Sequence, residues 1–177
     1  MSATLRPDNL RTALDAKLAA ALSQLVELRE AEQPRVTLHL SPREIVGAFF
    51  LYACGVYPIA DKFGRAQAGE LQFNAWYEQW TKRLNGADSA LWKQLRGERS
   101  RQERGERVEL IELEVAIAAD PSSTRQSSRG GPVDAHKQVV RLAAYPDRPA
   151  SDVCNSYLQL ARRFAHDFLR EHARFLP

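Results

Sequence analysis

The chain predicts a mainly α fold, a helical bundle of about five helices with a small inserted β-hairpin. Three observations carry this. Leucines recur at spacings of three and four near the amino terminus, aromatic residues do the same between Phe73 and Leu84, and a third such stripe runs from Val153 to Phe175. Only Leu113, Val115 and Ile117 alternate with polar or small residues at the period of a strand. At 177 residues, 44% of them hydrophobic, the chain has enough apolar mass for one core and is short for two. A single domain over residues 1–177 is expected.

Leu10, Leu14, Leu18, Leu22, Leu25 and Leu28 place one apolar stripe on a helix from about Asp8 to Glu30, with Pro34 as its stop. In Ser41-Pro42-Arg43-Glu44 the serine can cap open backbone amides, the proline stands where no amide is needed, and the glutamate completes a capping box. The helix it opens should reach about Tyr57. The uncharged stretch Ile45–Ala60 is shorter than the roughly 20 residues of a membrane-spanning helix. Gly55 and Pro58 also interrupt it, so it reads as a buried helix, with no membrane span expected.

Phe73, Trp76, Tyr77, Trp80 and Leu84 form a core stripe on a helix between Ala68 and Leu84, with the charges of Glu78, Lys82 and Arg83 elsewhere. Asn85-Gly86 has the composition of a left-handed helix stop, and Asp88 or Ser89 of a cap for the next helix, which carries Leu91, Trp92 and Leu95. After the alternating strand, residues 119–134 are rich in serine, glycine and proline and predict a mobile loop. A second strand from about His136 to Tyr145 would pair with the first as a hairpin. The closing helix starts near Ser151 and buries Val153, Tyr157, Leu160, Ala161, Phe164, Phe168 and Phe175.

The charge balance of 25 basic against 22 acidic residues, net +3, is too mild for a DNA-coating protein. Cys54 and Cys154 form neither a disulfide framework nor a CxxC site and read as reduced, packed thiols. The opening MSATLRPDNLRTALDAKL lacks the apolar core of an export signal, so a cytoplasmic location is expected. No metal-ligand spacing, nucleophile triad or phosphate-cradling glycine loop occurs, and no cofactor or metal is expected.

One segment stands apart. In LWKQLRGERSRQERGERVEL, residues 91–110, a helix that begins with core residues becomes a ladder of arginines. From Lys93 to Arg107 there are six basic and three acidic side chains. Arg99 with Glu103, and Glu103 with Arg107, have the spacing of helical ion pairs, which makes a solvated helix end one reading. A phosphate or nucleic-acid contact through Arg96, Arg99 and Arg104 is the other.

LWKQLRGERSRQERGE resembles the motif region of HEPN-type domains, small helical bundles in which one helix carries an arginine, a polar residue and then a histidine a few positions on. Arg99 falls at the family's arginine, Ser100 at its common asparagine, and Arg104 at its histidine. The resemblance implies either a metal-independent ribonuclease, working as a dimer with facing motifs, or an inactive binding or scaffold module. Arginine stays protonated and cannot move a proton near neutral pH as histidine can, although it can still hold a phosphate. The remaining histidines are His39, His136, His166 and His172. His166, near Arg162 and Arg163, comes closest to the family spacing but is one residue short of it, and both it and His172 read as solvated or locally paired side chains on a polar face. No catalytic residue is therefore assigned. The sequence points to a non-catalytic helical interaction module, a homodimer with a weak RNA or protein partner. The alternative is an RNA-directed, metal-independent ribonuclease or toxin-like effector.

Overall fold

The computed structural model describes residues 7–33, 41–104, 106, 108–117 and 135–172. The expected loop at 119–134, the stop at Pro34 and the side chains of Phe175 and of the Arg99–Glu103–Arg107 series lie outside the described residues. Six helices and three strands follow in the order α1 (Pro7–Ala31), α2 (Pro42–Ala53), α3 (Val56–Ala68), α4 (Glu70–Lys82), α5 (Gly86–Glu103), β1 (Leu110–Ile117), β2 (Ala135–Leu142), β3 (Tyr145–Pro149) and α6 (Ala150–His172). The molecule is a helical bundle with a small antiparallel sheet inserted before its last helix.

The leucine stripe of α1 is buried at Leu10, Leu14, Leu25 and Leu28, while Ala21 takes the core position expected of Leu22, which is 38% exposed. The capping box opens α2: the Glu44 amide donates to Ser41 Oγ at 3.3 Å, and the Ser41 amide donates to Glu44 Oε2 at 2.8 Å. The Ser41 amide, followed by the Ser41 hydroxyl, which donates to the same oxygen at 2.8 Å, holds the Glu44 carboxyl below the usual carboxylate range.

The segment expected to run as one helix to Tyr57 breaks at Cys54–Gly55 and resumes as α3, a helix the sequence reading lacked. The Gly55 amide closes a tight turn onto the Tyr52 carbonyl at 3.0 Å. Pro58 is the third residue of α3, in the first turn, where no intrahelical amide bond is required, so it starts a helix where it had suggested an interruption. Pro42–Ala68 contains a stretch of 18 residues with a mean hydropathy of 1.3, long and apolar enough by composition to cross a membrane. In this fold its apolar side, including Ile45, Phe49, Phe50, Val56 and Phe63, faces the core.

At the α3–α4 corner Gly69 adopts φ 87°, ψ 157°, a conformation that L side chains rarely adopt. Arg65 spans the corner, donating to Asp61 at 2.7 Å, to Glu70 and to Asn74 at 3.3 Å. Gly86 has no left-handed backbone. It is the first residue of α5, and Asn85 is the cap in place of Asp88 or Ser89, its Oδ1 accepting from the Asp88 amide at 2.8 Å.

β1 and β2 pair antiparallel from Leu110↔Leu142 to Ile117↔Ala135, as the hairpin reading requires. Strand β2 ends at Leu142 and not at Tyr145, since Ala143 and Ala144 turn the chain into β3. β3 has the sequence Tyr-Pro-Asp-Arg-Pro, without alternation and with two prolines. That suits an edge strand, which does not need every amide for a ladder.

The closing helix α6 lies at the centre of the bundle. The Phe164 ring meets Trp80 at 4.9 Å, Trp92 at 5.0 Å, Trp76 at 5.6 Å and Tyr57 at 5.9 Å between centroids, joining α3, α4, α5 and α6. Two indole N–H groups of α4 reach carboxylates one helical turn apart on α6: Trp76 donates to Glu171 at 3.0 Å and Trp80 to Asp167 at 3.1 Å. At its amino end, α6 is tied to the end of α1, where buried Glu32 accepts from Ser151 Oγ at 2.6 Å and from the Ser151 amide at 3.4 Å.

Two glycines should respond in opposite directions to the same substitution. A Cβ at Gly64 would overlap Phe73 Cδ2 and lie 2.9 Å from its Cε2, and Phe73 is a fully buried ring without space to yield. Gly97, exposed in the middle of α5, has no atom within 4 Å of an added Cβ. Gly64→Ala should lower stability by about 1–3 kcal/mol, and Gly97→Ala should raise it by about 0.5–1 kcal/mol. Urea unfolding midpoints of the two variants against wild type measure both.

Candidate functional site

The arginine ladder divides between two sides of α5. On one side Arg101 donates to Glu106 at 3.0 Å, to Glu98 at 3.2 Å and to Glu109 at 3.4 Å. Arg104 donates to the same Glu106 at 2.8 Å. The Arg104 guanidinium, followed by Arg101, holds the Glu106 carboxyl below the usual carboxylate range, and Glu106 in turn raises the pKa of Arg101. The exposed pairs of Arg104 and Arg101 with Glu106 and Glu109 add little stability, while the Arg101–Glu98 pair is partly buried. They do leave Arg104 and Arg101 already facing carboxylates, and Arg101 lines a small cavity of about 90 Å³ together with Phe50, Leu91, Val108, Leu142 and Tyr145.

On the other side Arg96 has different company. Its guanidinium carbon stands 4.2 Å from the centroid of the Tyr57 ring and 5.5 Å from that of Tyr77, and its Nη1 donates to Tyr77 Oη at 3.0 Å. Tyr77 Oη also accepts from Trp92 Nε1 at 2.7 Å. Among the described residues Arg96 has no carboxylate partner. The three sequence candidates are therefore not one strip: Arg96 lies against aromatic rings, Arg104 lies in a carboxylate cluster, and Arg99 is on α5 with its side chain outside the described residues.

Arg96 and Ser100, one turn apart, stand on the wall of a cavity of about 170 Å³. It opens where α2 breaks into α3, so Ala53 at the end of the first, Cys54 in the break, and Tyr57 and Pro58 of the second line it, together with Trp92 and Tyr157. Ser100 Oγ donates back to the Arg96 carbonyl at 3.3 Å. The Cys54 sulfur and Tyr157 hydroxyl meet at 3.5 Å, both buried. Burial pushes the Tyr157 hydroxyl well above the usual phenol value, and burial likewise raises Tyr57, although the nearby Arg96 charge opposes that rise.

Sequence reading treated the aromatic stripe of α4 as core, with charges elsewhere. That describes Phe73 and Trp80, but Tyr77 carries Arg96 on its ring and hydroxyl. Tyr57, Trp92 and Tyr157 were missed as a group because they come from three helices and share no motif. The signal present was the Gly55–Pro58 interruption, which marks where a helix break opens the cavity.

None of the described histidines lines this cavity. His166 is exposed and lies 3.5 Å from its neighbour Asp167, in keeping with a locally paired side chain. His172 departs from the polar-face reading: it is buried because the aromatic stripe of α6 extends to it, its ring stacked on Phe168 at 4.3 Å and edge-on to Trp76 at 5.0 Å, with Nδ1 3.1 Å from the Phe168 carbonyl. Comparison with family models, curated proteins and solved structures gives no match for the chain.

Burial lowers the His172 pKa, outweighing the opposing effects of the Phe168 carbonyl and Glu171. The folded protein therefore takes up this proton at lower pH than the unfolded chain, whose histidine titrates near about 6.5. The contribution of neutral His172 is complete above that value, is lost as pH falls through it, and levels off below the folded pKa. Between pH 7 and 5 the wild-type unfolding midpoint should fall more than that of His172→Phe. Parallel pH profiles of the two would contradict this.

Proposed function

We propose that this chain is a non-catalytic helical binding module, resembling a HEPN domain whose ribonuclease motif has lapsed, and that Arg96 is its anion contact. One observation carries the reading. Of the described ladder arginines, Arg101 and Arg104 are engaged by glutamates, while Arg96 is held without a carboxylate beside a cavity. Arginine at position 104, where the family has histidine, supplies no proton carrier, and the described histidines stand apart from the cavity. A cytoplasmic location and a homodimer belong to the same reading. Exposed Leu22 and Val26, one turn apart on α1, supply apolar surface for self-association.

RNA contact on this reading is weak, with a dissociation constant no tighter than about 1 µM, and falls steeply with salt. Arg96→Ala should reduce low-salt RNA retention more than Arg104→Ala, because the charge at 104 is already paired. Purified protein should not cleave RNA above background near neutral pH. Cleavage that survives repurification and disappears in His166→Ala would replace this reading with the ribonuclease alternative.

A further inference from the structure

We infer that the cavity beside Arg96 is a binding site for a small aromatic monocarboxylate, its carboxylate on the guanidinium and its ring against Trp92 and Tyr157. The inference rests on the binding-module reading and names the ligand class of the same site. Three features of the site lead to it.

The first is the edge that Arg96 presents. Its Nη1 is committed to Tyr77 Oη, and stacking on Tyr57 fixes the plane of the guanidinium. The remaining edge, Nε and Nη2, has no partner among the described residues. Two parallel N–H groups in a fixed plane are the donor pattern that a carboxylate accepts with both oxygens. The same bond and stacking restrict the side chain before any ligand arrives, which lessens the ordering cost of binding.

The second is the wall. Ala53, Cys54, Trp92 and Tyr157 are all buried, and the polar atom of Trp92 is already directed to Tyr77. Tyr157 Oη and Cys54 Sγ are paired with each other. What faces the cavity is therefore mixed, with aromatic and hydrocarbon surface beside the Arg96 guanidinium and the Ser100 hydroxyl. A bare phosphate would satisfy Arg96 and leave the apolar share of that surface uncovered, whereas a ring also covers that share.

The third is size. A volume of about 170 Å³ lies below the roughly 300 Å³ at which drug-sized sites begin. It suits one ring and one acid group, and is too small for a nucleotide. Ser100, exposed at the rim, leaves the entrance open.

The test uses the full chain with benzoate as the probe, benzyl alcohol as its uncharged counterpart, and inorganic phosphate as an anion without a ring. Trp92 in the wall makes intrinsic fluorescence one readout, and ligand-observed NMR saturation transfer is the second. Benzoate should bind with a dissociation constant on the order of 1 mM. Benzyl alcohol, phosphate and benzoate on Arg96→Gln should each be weaker by about tenfold or more. Ser100→Phe, which fills the entrance from an exposed position and keeps Arg96, should block benzoate without lowering the unfolding midpoint, so that loss of binding is not loss of fold. Equal binding of benzyl alcohol would overturn the role of the carboxylate, equal binding of phosphate would overturn the role of the ring, and undiminished benzoate binding by Ser100→Phe would overturn the location. Absence of benzoate binding would overturn the ligand class while leaving the module reading in place, because RNA cleavage tests that reading independently.

Discussion

The contact on which the bundle depends is the Phe164 ring at the centre of α6. It touches aromatic rings from α3, α4 and α5 at once, with centroids between 4.9 and 6.3 Å away. Such pairs gain from ring geometry as well as from area buried. Their larger effect is positional, since a close-packed interior permits few arrangements of large rigid side chains. The indole N–H groups of Trp76 and Trp80 have carboxylate partners on the same helix, so the cluster hides no unpaired donor at those rings. With α3, α4 and α5 located against one ring, the places where they fail to meet are determined too.

The cavity beside Arg96 is one of those places. A helix continuing unbroken from Pro42 would direct its next turn along the α2 axis. The break at Cys54–Gly55 instead starts α3 on a new course and separates Cys54 from Tyr57 enough to leave a space, with α5 and α6 as the other walls. Gly55 suits this break because a Cβ there would sit 3.1 Å from the Tyr52 carbonyl oxygen and 3.2 Å from that of Leu51. The same residue that interrupts the apolar segment thus gives it both a change of direction and a concave surface.

Local rules made most of the fold legible. Period alone placed α1, α4, α6 and β1, and Ser41-Pro42-Arg43-Glu44 located the start of α2 to the residue because its chemistry is complete within four positions. Where the reading departed from the structure, a residue had two permitted uses. Pro58 can stop a helix or stand in its first turn, Gly86 can end one helix or begin the next, and the prolines of β3 disqualify a central strand but not an edge strand. The site was less legible because its logic is non-local. Arg96 was recognisable as a candidate, but the division between Arg96 and Arg104 depends on Tyr57, Tyr77 and Glu106, and on which way each side of α5 faces. No spacing within residues 91–110 encodes that.

The electrostatic character of the two sides of α5 follows from this division. Around Arg101 and Arg104 three glutamates offset two arginines; Arg104, Glu106 and Glu109 are exposed, while Arg101 and Glu98 are partly buried, so salt and water weaken the outer part of this field most. Around Arg96 the neighbours are rings and hydroxyls. Tyr57 and Tyr157 both have raised pKa values, so neither adds a negative charge near neutral pH, and the polar tip of Trp92 is turned to Tyr77. Arg96 is itself exposed, so its charge stands at the solvent edge of a hollow of mixed polarity, with no carboxylate among the described residues to offset it. Six basic residues in the sequence suggest a strip, but among the described arginines of that segment Arg96 alone lacks a carboxylate partner, and what it selects depends on the uncharged rings around it.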